Sequence, residues 1–188
     1  SFEKKNENFF NLGYVGIVGI FFLIAYSYLS NILIAHSKIH NIIVILFGFF
    51  LFLNFVKKNL KNLDLIKNLK LTLIVFLILF ISILIEKNHD DFPYYHFSYT
   101  YQLTQDSLSF GIGKLNHGFR TPSSIFYLNS LFYLPFADYY LFNFSAIYIL
   151  GFANIFLLER IFLFKDQRQK KVSFSNYLSL LSLIFINI

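Results

Sequence analysis

Apolar blocks of roughly 15–20 residues recur along the chain, the length that crosses a ~30 Å hydrocarbon slab at ~1.5 Å rise per residue. A soluble core needs its apolar residues dispersed at helical or strand period, so these blocks predict membrane-spanning helices. Composition agrees. Of the 188 residues, 56% are apolar and only 14% charged, against about 45–50% and 25% in a soluble domain. A soluble globular domain, a disordered chain and a nucleic-acid-binding domain are all excluded. The net charge of +6 therefore reads as membrane topology, with no nucleic-acid partner expected. The chain has no Cys, which removes disulfides, thiolate metal sites and a cysteine nucleophile. The missing Met and an apolar run up to Ile188 predict an N-terminal piece of a longer protein, cut at both ends.

The expected fold class is all-α: one polytopic transmembrane domain, 1–188, with spans near 11–30, 41–56, 69–85, 139–158 and 172–188. The second and third are short, so flanking Lys must snorkel or the helices must lengthen into their loops, Leu63–Ile66 among them. Two basic segments orient the bundle. Lys57–Lys70 carries five Lys and one Asp, and Glu159–Lys171 carries five basic and two acidic residues. By the positive-inside rule both lie in the cytoplasm with the N-terminus, leaving the His36–His40 turn and residues 86–138 outside. The 14-residue apolar run Ser124–Ala137 is below spanning length, and crossing there would translocate the second basic loop. It reads as an interfacial or re-entrant helix. Gly13, Gly16 and Gly19 fall near one face of the first span, where a neighbouring helix can approach closely.

Chemistry concentrates in the outer segment between Glu86 and Ser124, which holds three of the five His, four of the ten acidic residues and one of the three Arg. Asp90 and Asp91 are adjacent carboxylates at the mouth of the bundle, suited to act as a base or a metal ligand. The alternative is that one of them caps the helix begun by Pro93. His89, Asp90, Asp91 and His96 together form a set able to hold a divalent cation. From Phe92 to Leu103 the pattern alternates at strand period. A lone strand beside a bilayer has no backbone partner, which favours an interfacial helix. The glycine-rich GIGKLNHG (111–118) lacks the ending of a nucleotide-phosphate loop. It reads as a turn bringing Lys114, His117 and Arg120 to the membrane surface, with Arg120 beside a helix start at Thr121-Pro122-Ser123 suited to phosphate.

DDFPYYHFSY (90–99), an outer Asp just after a span followed by Tyr-His, resembles the first outer loop of C-type (GT-C) integral-membrane glycosyltransferases. GFRTPSSIFYLNSLFYLP (118–135) is similar to the turn and helix start that follow it in that superfamily. Three spans precede the acidic loop here, where the superfamily usually has one. The resemblance implies a multi-pass protein of a bacterial inner (plasma) membrane. It would move sugar from a polyprenyl-phosphate donor to a glycan, lipid or protein acceptor on the extracytoplasmic face. Asp91 matches the loop Asp that acts as general base or positions the acceptor, with Asp90 as the adjacent acid and Tyr95 and His96 on the substrate side. Charge and position add Lys114, His117 and Arg120 as the groups that neutralise the leaving phosphate. Two other classes compete: a transporter, flippase or polysaccharide-export subunit, expected to place ionisable residues inside its spans, and a non-catalytic membrane scaffold.

Overall fold

The computed structural model describes residues 11–85, 90–114, 116–120, 123–166 and 174–187. Among them every regular element is helical, apart from a single antiparallel bridge between Leu134 and Asp138. The α-helices are α1 (Leu12–Leu33), α2 (Lys38–Asn59), α3 (Leu63–Ile85), α4 (Phe97–Gln105), α5 (Ser124–Ser130), α6 (Phe144–Asp166) and α7 (Phe174–Ile186). Short polar side chains start the first three. Asn11 Oδ1 accepts from Tyr14 N at 2.7 Å, Ser37 Oγ from His40 N at 3.4 Å, and Asn62 Oδ1 from Leu65 N at 3.1 Å, each satisfying an amide that the first helical turn leaves unpaired.

Among the described residues three stretches are long and apolar enough to cross a membrane: Leu12–Leu33, Lys38–Asn59 and Tyr139–Ile161. The expected short second and third segments are in fact helices of 22 and 23 residues, lengthened into what the sequence reads as loops. The link between them shrinks to residues 60–62. Large apolar side chains on these helices face outward, Phe22, Ile39, Phe47 and Ile78 among them, as expected where lipid is the solvent.

α1 and α6 run antiparallel, and glycine sets how close they come. A Cβ on Gly13 would lie 2.2 Å from Phe156 N, and one on Gly16 2.0 Å from the Phe152 ring. Gly19, the third glycine of the expected stripe, has open space beside it. Nothing in the first turn of α1 is acidic. Glu159 of α6 supplies the charge instead, taking the Leu12 and Gly13 amides at 3.0 Å each. Glu159 is therefore part of a helix and buried, which corrects the reading of 159–171 as a loop through its first eight residues.

The ends of the bundle differ. One end collects the start of α1, the end of α2 with Lys57 and Lys58, the start of α3 and the end of α6. At the other end α4 and α5 form a cap with its own core of Tyr99, Leu103, Phe126 and Tyr127. The cap is tied to α1 by Leu108 N to Asn31 O (2.8 Å), His36 N to Leu103 O (3.0 Å) and Asn31 Nδ2 to Leu103 O (3.1 Å).

Ser124–Ala137 is not one interfacial helix. α5 stops after 7 residues, and its Phe126–Ser130 stretch is buried, with Leu128, Leu131 and Phe132 packed on Ile20. Beyond it the chain turns at Pro135 and enters a 3-10 turn, Tyr139–Leu141, ahead of α6. The apolar run is a core segment under the cap, which is why it needs no spanning length. α2 packs loosely, with Asn41 its only buried residue. Apolar cavities of about 630 and 330 Å³ separate it from the rest, and Phe52 lines both.

Candidate functional site

Asp90 and Asp91 form the turn that leads from the α3 side into the cap; Asp90 is exposed and Asp91 half-buried. The Asp91 carbonyl accepts from Tyr94 N (3.2 Å) and Tyr95 N (3.3 Å), opening a π-helical turn, Phe92–His96, with Pro93 in its first positions. The side chain of Asp91 makes no capping bond. Pro93 has no amide to offer a capping carboxylate, and the Tyr94 amide goes to the Asp91 carbonyl instead. The turn passes directly into α4, so 92–105 is helical, as the argument from strand pairing expects. Such π turns recur at functional positions because the extra residue re-aims the side chains around it.

Tyr95 and His96 are half-buried and stand edge to face, ring centres 4.4 Å apart, with the His96 ring 5.1 Å from Phe126 of α5. The glycine-rich stretch folds as two 3-10 turns, Ile112–Lys114 and His117–Arg120, packed on one another. Gly111 carries φ +82°, a left-handed conformation glycine adopts freely. Arg120 Nε donates to Gly113 O at 3.2 Å. Lys114, His117 and Arg120 are exposed.

One close approach joins the acidic and basic halves. A Cβ on Gly118 would lie 2.4 Å from Tyr95 Cβ, so the basic turn lies directly against the helix that follows Asp91. Tyr95, His96 and the 117–120 turn are thus brought together on the cap, with Asp91 one turn before Tyr95. Thr121 and Pro122, from the expected phosphate-binding helix start, and His89, from the expected cation set, lie outside the described residues. Ser123 Oγ accepts from Ile125 N at 3.4 Å, so a hydroxyl already takes an amide at the start of α5. Among the described residues no three His, Asp or Glu side chains converge as a metal site.

Sequence reasoning missed a second polar cluster where α1, α2, α4 and α5 meet. His36 is fully buried. The His36 ring nitrogens sit against two serine hydroxyls, Nδ1 2.6 Å from Ser130 Oγ and Nε2 2.9 Å from Ser30 Oγ, and those hydroxyls also face the carbonyls of Tyr127 (2.7 Å) and Ser27 (3.3 Å). The His40 ring stacks on His36 at 5.1 Å, with its Nε2 2.9 Å from Tyr26 OH and its Nδ1 2.9 Å from Asn41 Oδ1. Asn41 Nδ2 reaches the carbonyls of His36, Ser130 and Tyr133 at 2.8–3.0 Å. Burial, and then the neighbouring His40, push the His36 pKa down to about 4, so it stays neutral at ordinary pH. Inside the cap, burial and then the bond to Tyr127 raise the Tyr99 phenol above its usual value. Histidine and asparagine beside span ends were the available signal, muted in a chain so rich in Asn.

Comparison against protein-family models, curated proteins and solved structures found no match to the chain.

Proposed function

We propose that the chain is the membrane portion of a glycosyltransferase that takes sugar from a polyprenyl-phosphate donor on the extracytoplasmic face. The observation that carries this reading is the packing of Gly118 on Tyr95, which puts a carboxylate-bearing turn and a cationic turn on one side of a helical cap at the end of apolar helices. A donor of this kind has its tail in the bilayer and its phosphate at the headgroup plane, where such a cap can meet it. Asp91 takes the proton of the acceptor hydroxyl as that oxygen attacks the anomeric carbon. The carbon–phosphate oxygen bond breaks, and Arg120 with Lys114 or His117 neutralises the departing polyprenyl phosphate. The acceptor is a glycan, a lipid or a protein. By the positive-inside rule the lysine-bearing end of the bundle lies in the cytoplasm of a bacterial inner membrane, and α3 and α7 complete five spans. Glu159, the acidic residue within a candidate span, is bonded to helix amides, a structural role that gives transport no support.

The test uses membranes carrying the full chain, supplied with a radiolabelled polyprenyl-phosphate hexose, and counts sugar leaving the donor lipid. Asp91→Asn should lower transfer by roughly 10²–10⁴-fold, the range of a general base, at unchanged protein abundance. Transfer that survives the substitution removes Asp91 from the reaction.

A further inference from the structure

The turn between α5 and α6 carries a fully exposed aromatic side chain in a backbone conformation built for glycine. Leu134 O accepts from Ala137 N (3.3 Å) and Asp138 N (2.9 Å), with Pro135 at the second position and Phe136, at φ +70°, at the third. That is the pattern of a type II turn, whose third position favours Gly or Asn because an L side chain is sterically strained there. Asp138, at φ +44°, is a second non-glycine residue in the left-handed region. Phe136 is more exposed than any other large apolar residue described. In water such a residue would be doubly unfavourable, strained in its backbone and unburied in its ring.

The turn is also fixed against the start of α2. Asp138 forms an ion pair with Lys38, the Lys38 ammonium lies 5.1 Å over the Tyr133 ring, and Asn41 Nδ2 holds Tyr133 O at 3.0 Å. Lys38 opens the candidate span 38–59 and Tyr139 opens the candidate span 139–161. The ion pair therefore fastens together the starts of two spans, and Phe136 projects from that level. Tyr139 and Tyr140 follow, both exposed, with ring centres 4.7 Å apart. Tyrosine suits that boundary, with a ring for the acyl side and a hydroxyl for the headgroups.

From this geometry we infer that the 134–138 turn is a bilayer anchor, with Phe136 inserted among the upper acyl carbons of the lipids around the cap end. Its ligand is a lipid surface. The inference stands apart from the transfer reaction and needs only that 38–59 and 139–161 span.

The chain contains no Trp and no Cys, so one residue of either kind reports from a single place. Phe136→Trp in liposomes should emit at short wavelength, lose emission with phosphatidylcholine brominated on its upper acyl carbons, and be spared by aqueous iodide. Phe142→Trp, at a buried position, gives the signal of a residue sheltered by protein from both quenchers. Iodide quenching of Phe136→Trp without lipid quenching would place the turn in water and overturn the anchor. Shelter from both quenchers, matching Phe142→Trp, would mean that protein covers it and would overturn it equally. Should Phe136→Trp not insert, Phe136→Cys carrying a nitroxide answers the same question. Relaxation by dissolved oxygen over a water-soluble nickel chelate supports the anchor, and the reverse order overturns it.

Discussion

The Glu159 carboxylate accepts the backbone N–H of Gly13, 3.0 Å from Oε2, with the Leu12 amide on its other oxygen. A buried anion thus closes the N-terminus of an antiparallel neighbour, where the helix dipole favours negative charge. Glu159→Ala leaves the buried Gly13 amide and the half-buried Leu12 amide unpaired. We expect a loss of about 1–3 kcal/mol for each group left unsatisfied, read as earlier thermal unfolding in detergent. Glu159→Gln keeps one acceptor oxygen and should fall between the two.

Gly13→Ala and Gly19→Ala should part company. The first drives a methyl to 2.2 Å from the Phe156 backbone nitrogen, which no side-chain rotation relieves. Separating α1 from α6 should cost about 1–3 kcal/mol. At Gly19 nothing lies within 4 Å, so the added methyl only removes unfolded-chain freedom and should stabilise by up to about 1 kcal/mol. Unfolding of the two variants in one detergent gives the comparison.

Acid should loosen the cap through His36. Its folded pKa is lowered from 6.5 to about 4, so the unfolded chain binds the proton more readily than the folded one. The stability held by the neutral ring is complete above pH 6.5 and drains away as pH falls toward 4, about 3 kcal/mol over the whole window. His40 stacks on the ring, the Ser30 and Ser130 hydroxyls bond to it, and the Ser27 backbone, which favours the protonated ring, opposes the downward shift without reversing it. His36→Gln should be less stable at pH 7.5 and show a flatter decline between pH 6.5 and 4.

Gly118 and Tyr95 should couple. Gly118→Ala forces its methyl to 2.4 Å from Tyr95 Cβ and should lift the basic turn off the cap, lowering the sugar transfer proposed for this site. Tyr95→Ala clears that space, so the double variant should lose less than the sum of the singles, by about 0.5–3 kcal/mol of interaction. Additive losses would mean the two halves work separately.

Long apolar runs are legible because lipid imposes a length as well as a composition. α2 extends only three residues beyond the expected 41–56 at each end. The close approach at Gly13 and Gly16 is legible too, since small residues at helical spacing have one main use. The interior of the cap is not. Nothing local in Ser124–Ala137 says that its apolar residues belong in a core, because their partner Ile20 is more than a hundred positions away. Glu159 reads as the edge of a charged loop until the amides it serves, 146 positions earlier, are placed beside it. The acidic and cationic parts of the proposed site are both readable from residue type. Their meeting across Gly118 is not, since it depends on how two irregular turns fold.

Asn31 sits at the end of α1, yet its amide donates to carbonyls of Leu103 and Asp106, 72 and 75 residues onward. At roughly 5–20 residues per second, a ribosome takes about 4–14 s to make that intervening stretch. Throughout that interval the first helix has its far end made and the partners of its asparagine unmade. The order of synthesis thus leaves a polar side chain waiting at the membrane surface, where any machinery that shepherds nascent membrane helices would find it.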